Sequence, residues 1–107
     1  MSVVLEHIKA IVEGERRIKI DDCQAFGITT LYADFKDYCD EIGIQKTYVK
    51  KRRSYQDEIE ALGLEYKRHN TNEDEPERIM SFWFEIDDLE ARFQSAIGLA
   101  TFKFDRA

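Results

Sequence analysis

Apolar positions along the chain follow two rhythms. Near the start, Val4, Leu5, Ile8, Ile11 and Val12 recur at intervals of three and four, which places them on one face of a helix predicted over residues 3–13, with Gly14 as its stop. A second helix is predicted from about Thr30 to Ile42, because Leu31, Phe35, Tyr38, Cys39 and Ile42 form one stripe, Gly43 offers a left-handed end, and Thr29 or Thr30 offers the capping oxygen. Its exposed side is acidic. A third helix follows closely, with Tyr48, Arg52, Tyr55, Ile59 and Leu62 at helical spacing before Gly63. Two helices joined so tightly form a helix-turn-helix candidate.

Elsewhere the period is two. Ile18-Lys19-Ile20 alternates as a short strand that Asp21 and Asp22 close with turn chemistry, while Cys23 to Gly27 reads as a helical turn or a loop. Beyond Gly63, Leu64 and Tyr66 alternate with Glu65 and Lys67, and Met80, Phe82, Phe84 and Ile86 alternate with Ser81, Trp83 and Glu85. These are two strands of an antiparallel hairpin whose long tip is the polar, proline-containing segment 70–78. Asp87 or Asp88 caps a last helix that carries Leu89, Phe93, Ala96 and Ile97 and ends near Gly98, leaving Thr101 to Phe104 as an unassigned tail. That helix is expected to cover Trp83, which lies on the strand face opposite Phe82 and Phe84. The order of elements predicts an α+β fold: a winged helix-turn-helix (helix, short strand, helix, helix, β-hairpin wing) with an added C-terminal helix.

The chain has 107 residues, so residues 1–107 are expected to form one domain around one core. Hydrophobic residues at 43% suffice to close that core. Glu6, His7 and Lys9 interrupt the N-terminal apolar segment, which excludes a membrane span or secretory leader there. Two cysteines, Cys23 and Cys39, make no disulfide scaffold, and their presence points to a reducing, cytoplasmic setting.

Charge sharpens the picture more than composition does. The net charge of −6 argues against general nucleic-acid affinity, yet its distribution is polarised. Lys46, Lys50, Lys51, Arg52 and Arg53 form an acid-free run, whereas Glu73, Asp74, Glu75 and Glu77 crowd the hairpin tip. Cations at the front of a helix oppose its dipole by about 0.3–1 kcal/mol each, so a run placed there suits an external anion better than the helix itself. The N-terminal part of a second helix in this motif enters the DNA major groove. Lys46, Lys50, Lys51 and Arg53 are therefore candidate phosphate and base contacts, with Gln56 as a further base reader. Lys67 and Arg68 at the hairpin are candidate backbone contacts, although the acidic tip repels a duplex over about 8 Å. The competing reading is a solubilising face, with the Arg52 stem laid along the core stripe.

His7, Cys23, Cys39 and His69 show none of the paired spacings of a zinc site; Cys39 reads as a core residue and both histidines as surface groups. No Gly-rich phosphate loop, nucleophile elbow or spaced His–Ser or His–Cys pair is present, so no cofactor and no catalytic residue are assigned.

The segment Leu31-Tyr32-Ala33-Asp34-Phe35-Lys36-Asp37-Tyr38-Cys39-Asp40-Glu41-Ile42-Gly43 resembles the opening pattern of the C-terminal winged-helix domain of phage, plasmid and large-DNA-virus helicase-primases, of the poxvirus and satellite-phage type. Tyr55, Ile59 and Gly63 fit the family's next pattern. The resemblance covers about Thr29 to Ile86 and rests on core positions. It implies DNA binding attached to replication of a virus or mobile element, with Lys50, Lys51 and Arg53 in the duplex-contacting part, on an excised terminal domain or a small stand-alone relative. It does not carry over ATP hydrolysis or primer synthesis.

The expectation is a non-catalytic module that binds double-stranded DNA through helix three, with a replication protein as a further possible partner. Its alternative, from another class, is a protein-interaction module that uses the acidic wing on the same fold.

Overall fold

Ser2 opens the first helix: its hydroxyl accepts the Leu5 N–H at 3.2 Å. In the computed structural model, which describes residues 1–70 and 78–106, α1 spans Val3–Val12. There follow β1 (Cys23–Gly27), α2 (Ile28–Glu41), a 3-10 turn (Lys46–Tyr48), α3 (Arg52–Glu60), β2 (Lys67–Asn70), β3 (Arg78–Glu85) and α4 (Ile86–Ile97). The architecture is α+β, with four α-helices and a three-stranded antiparallel sheet in the order β1-β3-β2 among the described residues.

The first strand lies later than its predicted position. Ile18–Ile20 is irregular, and its neighbourhood is satisfied by side chains instead of a ladder: Arg106 donates to the Ile20 and Asp21 carbonyls, and Lys19 reaches the Gly14 carbonyl at 2.7 Å. Cys23–Gly27 instead pairs with β3 in the register Cys23↔Glu85 to Gly27↔Ser81. Phe26 alone of these five is buried, against Phe84 at 5.3 Å, so the strand carries too few apolar residues to announce itself by alternation. The second strand also begins later, at Lys67; Leu64 and Tyr66 precede it, with Leu64 buried and the Tyr66 ring tilted against Phe82 at 4.9 Å. Residues 71–77, and with them the acidic hairpin tip, lie outside the described residues.

Helix starts differ as well. Gly27, not a threonine, is the N-cap of α2, and Thr29 uses its hydroxyl to accept from Arg52 at 3.0 Å. Lys51 is the N-cap of α3, so Lys50 and Lys51 precede that helix and only Arg52 and Arg53 oppose its dipole. Tyr48 and Arg52 leave the predicted core stripe for solvent, while Tyr55, Ile59 and Leu62 keep it. Glu85 rather than Asp87 or Asp88 is the N-cap of α4; both aspartates sit in its first turn, where the dipole favours them. Gly98 closes α4 in the left-handed region, as its position predicted.

One core runs through the four α-helices, β1 and β3, from Val4, Ile8 and Ile11 on α1 to Leu89 and Phe93 on α4. The tail beyond Gly98 belongs to it. Phe102 and Phe104 pack on Phe93 at 5.6 and 5.1 Å, Glu13 accepts the Asp105 N–H at 2.7 Å, and Arg106 spans to the exit of α1. α4 and its tail therefore face the core side of the sheet, and Trp83 on the other face is not covered by α4: it is 40% exposed and stacks on His69 at 5.8 Å. Among the described residues no helix is long and apolar enough to cross a membrane.

Gly63 ends the α3 segment with φ +92, and a Cβ there would stand 2.5 Å from Arg92 Nη1, the group that donates to the Leu62 carbonyl at 3.0 Å. Gly63→Ala is expected to lower stability by about 1–2 kcal/mol, from left-handed strain and displacement of Arg92, measured by urea denaturation. An unchanged midpoint would contradict this account.

Candidate functional site

The segment from Ile42 to Gln56 contains no acid, although charged residues make up 36% of the chain. Two side chains of α2 pin its second half. The Tyr32 hydroxyl donates to the Lys50 carbonyl at 2.9 Å, and Thr29 accepts from Arg52. Lys36 lies over the Tyr32 ring at 5.4 Å, so a further cation borders the same surface. The lead-in to α3 is thus held against α2 by hydrogen bonds, with Lys46, Lys51 and Arg53 exposed.

The predicted cations differ in what they already touch. Lys46 lies in the 3-10 turn and Lys51 at the N-cap; both are exposed, and neither forms an ion pair among the described residues. Arg53 is exposed and pairs with Asp57 at 3.1 Å one turn on, a contact of the kind worth at most about 1 kcal/mol. Lys50 is more firmly engaged. Its ammonium lies 3.2 Å from Glu58 Oε2, an oxygen shielded from solvent that has no aligned hydrogen bond. Removing Lys50 would leave that carboxylate oxygen without its counter-charge. Gln56 is half-buried on α3. Lys67 and Arg68 are carried separately, on the edge strand β2, where Lys67 pairs with Glu65 at 3.4 Å and Arg68 stands opposite Met80. Lys46, Lys50, Lys51 and Arg53 are therefore carried on one turn and helix start, and Lys67 and Arg68 on β2.

A second polar constellation escaped the pattern reading. His7, expected at the surface, is fully buried: its Nδ1 meets the Tyr55 hydroxyl at 3.0 Å and its Nε2 meets Asp34 Oδ2 at 2.8 Å. Arg16 engages the same carboxylate side-on, Nε to Oδ2 at 3.0 Å and Nη2 to Oδ1 at 3.2 Å, and its third nitrogen reaches Glu41. Each helical stripe held the clue. His7 lies three residues after Val4 and four before Ile11, and Asp34 lies three after Leu31 and four before Tyr38, so both occupy apolar faces. His69 is half-buried, with Nδ1 at 2.9 Å from the Ser81 hydroxyl.

Burial lowers the pKa of His7 below its ordinary value of 6.5, a larger influence than the opposing bond to Asp34. A neutral imidazole satisfies the whole chain: Tyr55 O–H donates to Nδ1, and Nε2–H donates to an ionised Asp34. Burial alone would raise the Asp34 pKa, but bonds from Arg16 and His7 outweigh it and hold the carboxyl below the usual range. Burial likewise pushes the Tyr55 phenol upward, keeping it a donor. Complete enclosure of the imidazole denies any substrate access, so this constellation is a structural tie between α1, α2 and α3.

A shallow groove of about 450 Å³ between the end of α3 and α4 is lined by Ala61, Leu62, Ala91, Arg92, Ser95 and Ala96. Arg92 is already bound there to Asp88 and to the Leu62 carbonyl, which leaves no convergent acid, base or nucleophile pair. Among the described residues no three His, Cys, Asp or Glu side chains converge as metal ligands. Compared with known proteins, the chain matches no family model, no curated protein and no solved structure.

The sign of the pH effect follows from His7. Its folded pKa lies below its unfolded one, so unfolding takes up a proton once the pH approaches 6.5, and its stabilising contribution, present above 6.5, is lost as pH falls. Asp34 adds a second loss only below 3.8. Urea unfolding is expected to show lower stability at about pH 5 than at about pH 7.5, and His7→Gln, though less stable throughout, is expected to flatten that slope. Equal slopes in both proteins would assign the pH dependence elsewhere.

Proposed function

We propose that the chain is a winged-helix domain that binds double-stranded DNA without catalysis, through the turn before α3 and the start of that helix. The element order, with β3 central between β1 and β2, supports the winged-helix reading. The observation that carries the DNA reading is the acid-free lead-in, whose Lys46 and Lys51 face solvent with no ion pair among the described residues. Tyr32 and Thr29 hold the residues on either side of Lys51, so that cation meets a polyanion with little further loss of backbone freedom.

Engagement of Lys50 by Glu58 refines the contact set. Lys46, Lys51 and Arg53 are the phosphate contacts, Arg53 exchanging Asp57 for phosphate at small cost, while Lys50 holds the lead-in on α3. The half-buried Gln56 is a weaker base reader than the pattern implied. A place in replication of a virus or mobile element rests on the resemblance of residues 31–43 to helicase-primase terminal domains. Those residues include Leu31, Phe35 and Cys39, all buried, and Gly43 at φ +83, so they support a fold more than an activity.

A protein-interaction module is the second reading. It is favoured by the carboxylate partners that Lys50, Arg53 and Lys67 already possess.

Three neutralised phosphates predict that log affinity falls with log salt at a slope of about −2.7. Changing Lys46, Lys51 and Arg53 together to Ala is expected to abolish duplex binding at low salt while leaving the urea midpoint nearly unchanged, measured by fluorescence anisotropy. Duplex affinity that survives this triple change would overturn the assignment, and absence of binding by the unaltered protein would favour the protein-interaction reading.

A further inference from the structure

The turn between α2 and α3 carries a feature the duplex contacts do not use. Tyr48 is 75% exposed, the largest exposure among the big apolar side chains of the described residues, and its ring meets no other ring there. The turn does not need it as an anchor. Ile44 and Val49 on either side are the residues packed against the core, and the Tyr48 and Val49 amides close the turn onto the Gln45 and Lys46 carbonyls at 2.8 and 3.3 Å. A phenol is thereby held out in water between Lys46 on one side and Lys50 and Lys51 on the other, within a stretch that contains no acid.

We propose that Tyr48 is a stacking residue for an unpaired base, so that the protein prefers duplex DNA ending in a single-stranded overhang to a blunt duplex. This inference rests on the DNA reading above and names the form of DNA that the site selects. An aromatic ring flanked by cations is the arrangement that holds single strands: phosphates go to the ammonium groups and a base face goes to the ring. Paired bases inside a helix are stacked on one another and offer no such face. An unpaired nucleotide does. Tyr48 precedes Arg52 by four residues, a span of at most about 13 Å, so the ring lies within reach of the end of a duplex seated on the front of α3. Charge complementarity selects nucleic acid as the occupant: Lys46 and Lys51 beside the ring make no ion pair among the described residues.

The test compares a blunt duplex, the same duplex with a short thymidine overhang, and the overhang strand alone, by fluorescence anisotropy at low salt. The unaltered protein is expected to bind the overhang duplex about tenfold more tightly than the blunt one, the gain that one stacked base supplies. In Tyr48→Ala that advantage disappears while blunt-duplex affinity and the urea midpoint stay unchanged, and in Tyr48→Trp the advantage is retained. Equal affinity of the unaltered protein for both duplexes overturns the inference and leaves duplex binding standing, as does an overhang preference that persists in Tyr48→Ala. Failure to bind any of the three DNAs overturns the DNA reading itself.

Discussion

The hydrogen-bonded chain Tyr55–His7–Asp34–Arg16 is the constraint on which the helical half of the molecule depends. Its members come from α3, α1, α2 and the loop after α1, so a single run of donors and acceptors fixes how three helices sit against one another. Apolar packing around it, such as Phe35 on Tyr55 at 4.5 Å, is non-directional and would tolerate sliding. The polar chain does not. A shift of α3 by one residue would remove the phenol from Nδ1 and leave a buried acceptor without its donor, a loss of about 1–3 kcal/mol. The direction in which α3 presents its cations is therefore set from inside the core.

That dependence explains why charge at the surface is more ordered than its net value suggests. The molecule carries an excess of acid, yet the hydrogen bonds of Tyr32 and Thr29 hold an acid-free segment outward. At physiological salt, charges beyond about 8 Å contribute little, so the neighbourhood of the turn counts for more than the total. Within that neighbourhood Lys50 differs from Lys46 and Lys51, because Glu58 stands against it. Charge sequence alone treats these three lysines alike.

The helices were legible because their apolar stripes repeat three or four times, and four glycines predicted as stops or near-stops all have positive φ. The strand β1 was not legible. Its role in the sheet comes from pairing with β3, about sixty residues away in the chain, while of its own five residues Phe26 alone is buried. Partnership between distant strands leaves no local period to read. The same reason hid the role of His7: spacing alone puts it on an apolar face, but only the approach of Asp34 and Tyr55 shows how an imidazole is accommodated there. The cationic cluster was visible as composition, whereas its division into paired and unpaired members, and the outward turn of Tyr48, depend on where α3 actually begins.

The returning tail has a consequence for biosynthesis. Phe102, Phe104 and Arg106 close the core against α4 and the exit of α1, and Arg106 reaches Val12 across a separation of 94 residues. A nascent chain that has not yet released them exposes Phe93 and leaves the carbonyls of Ile20 and Asp21 to water. During vectorial synthesis α1 is thus left partly unshielded until residues 102–106 have emerged and folded back upon it.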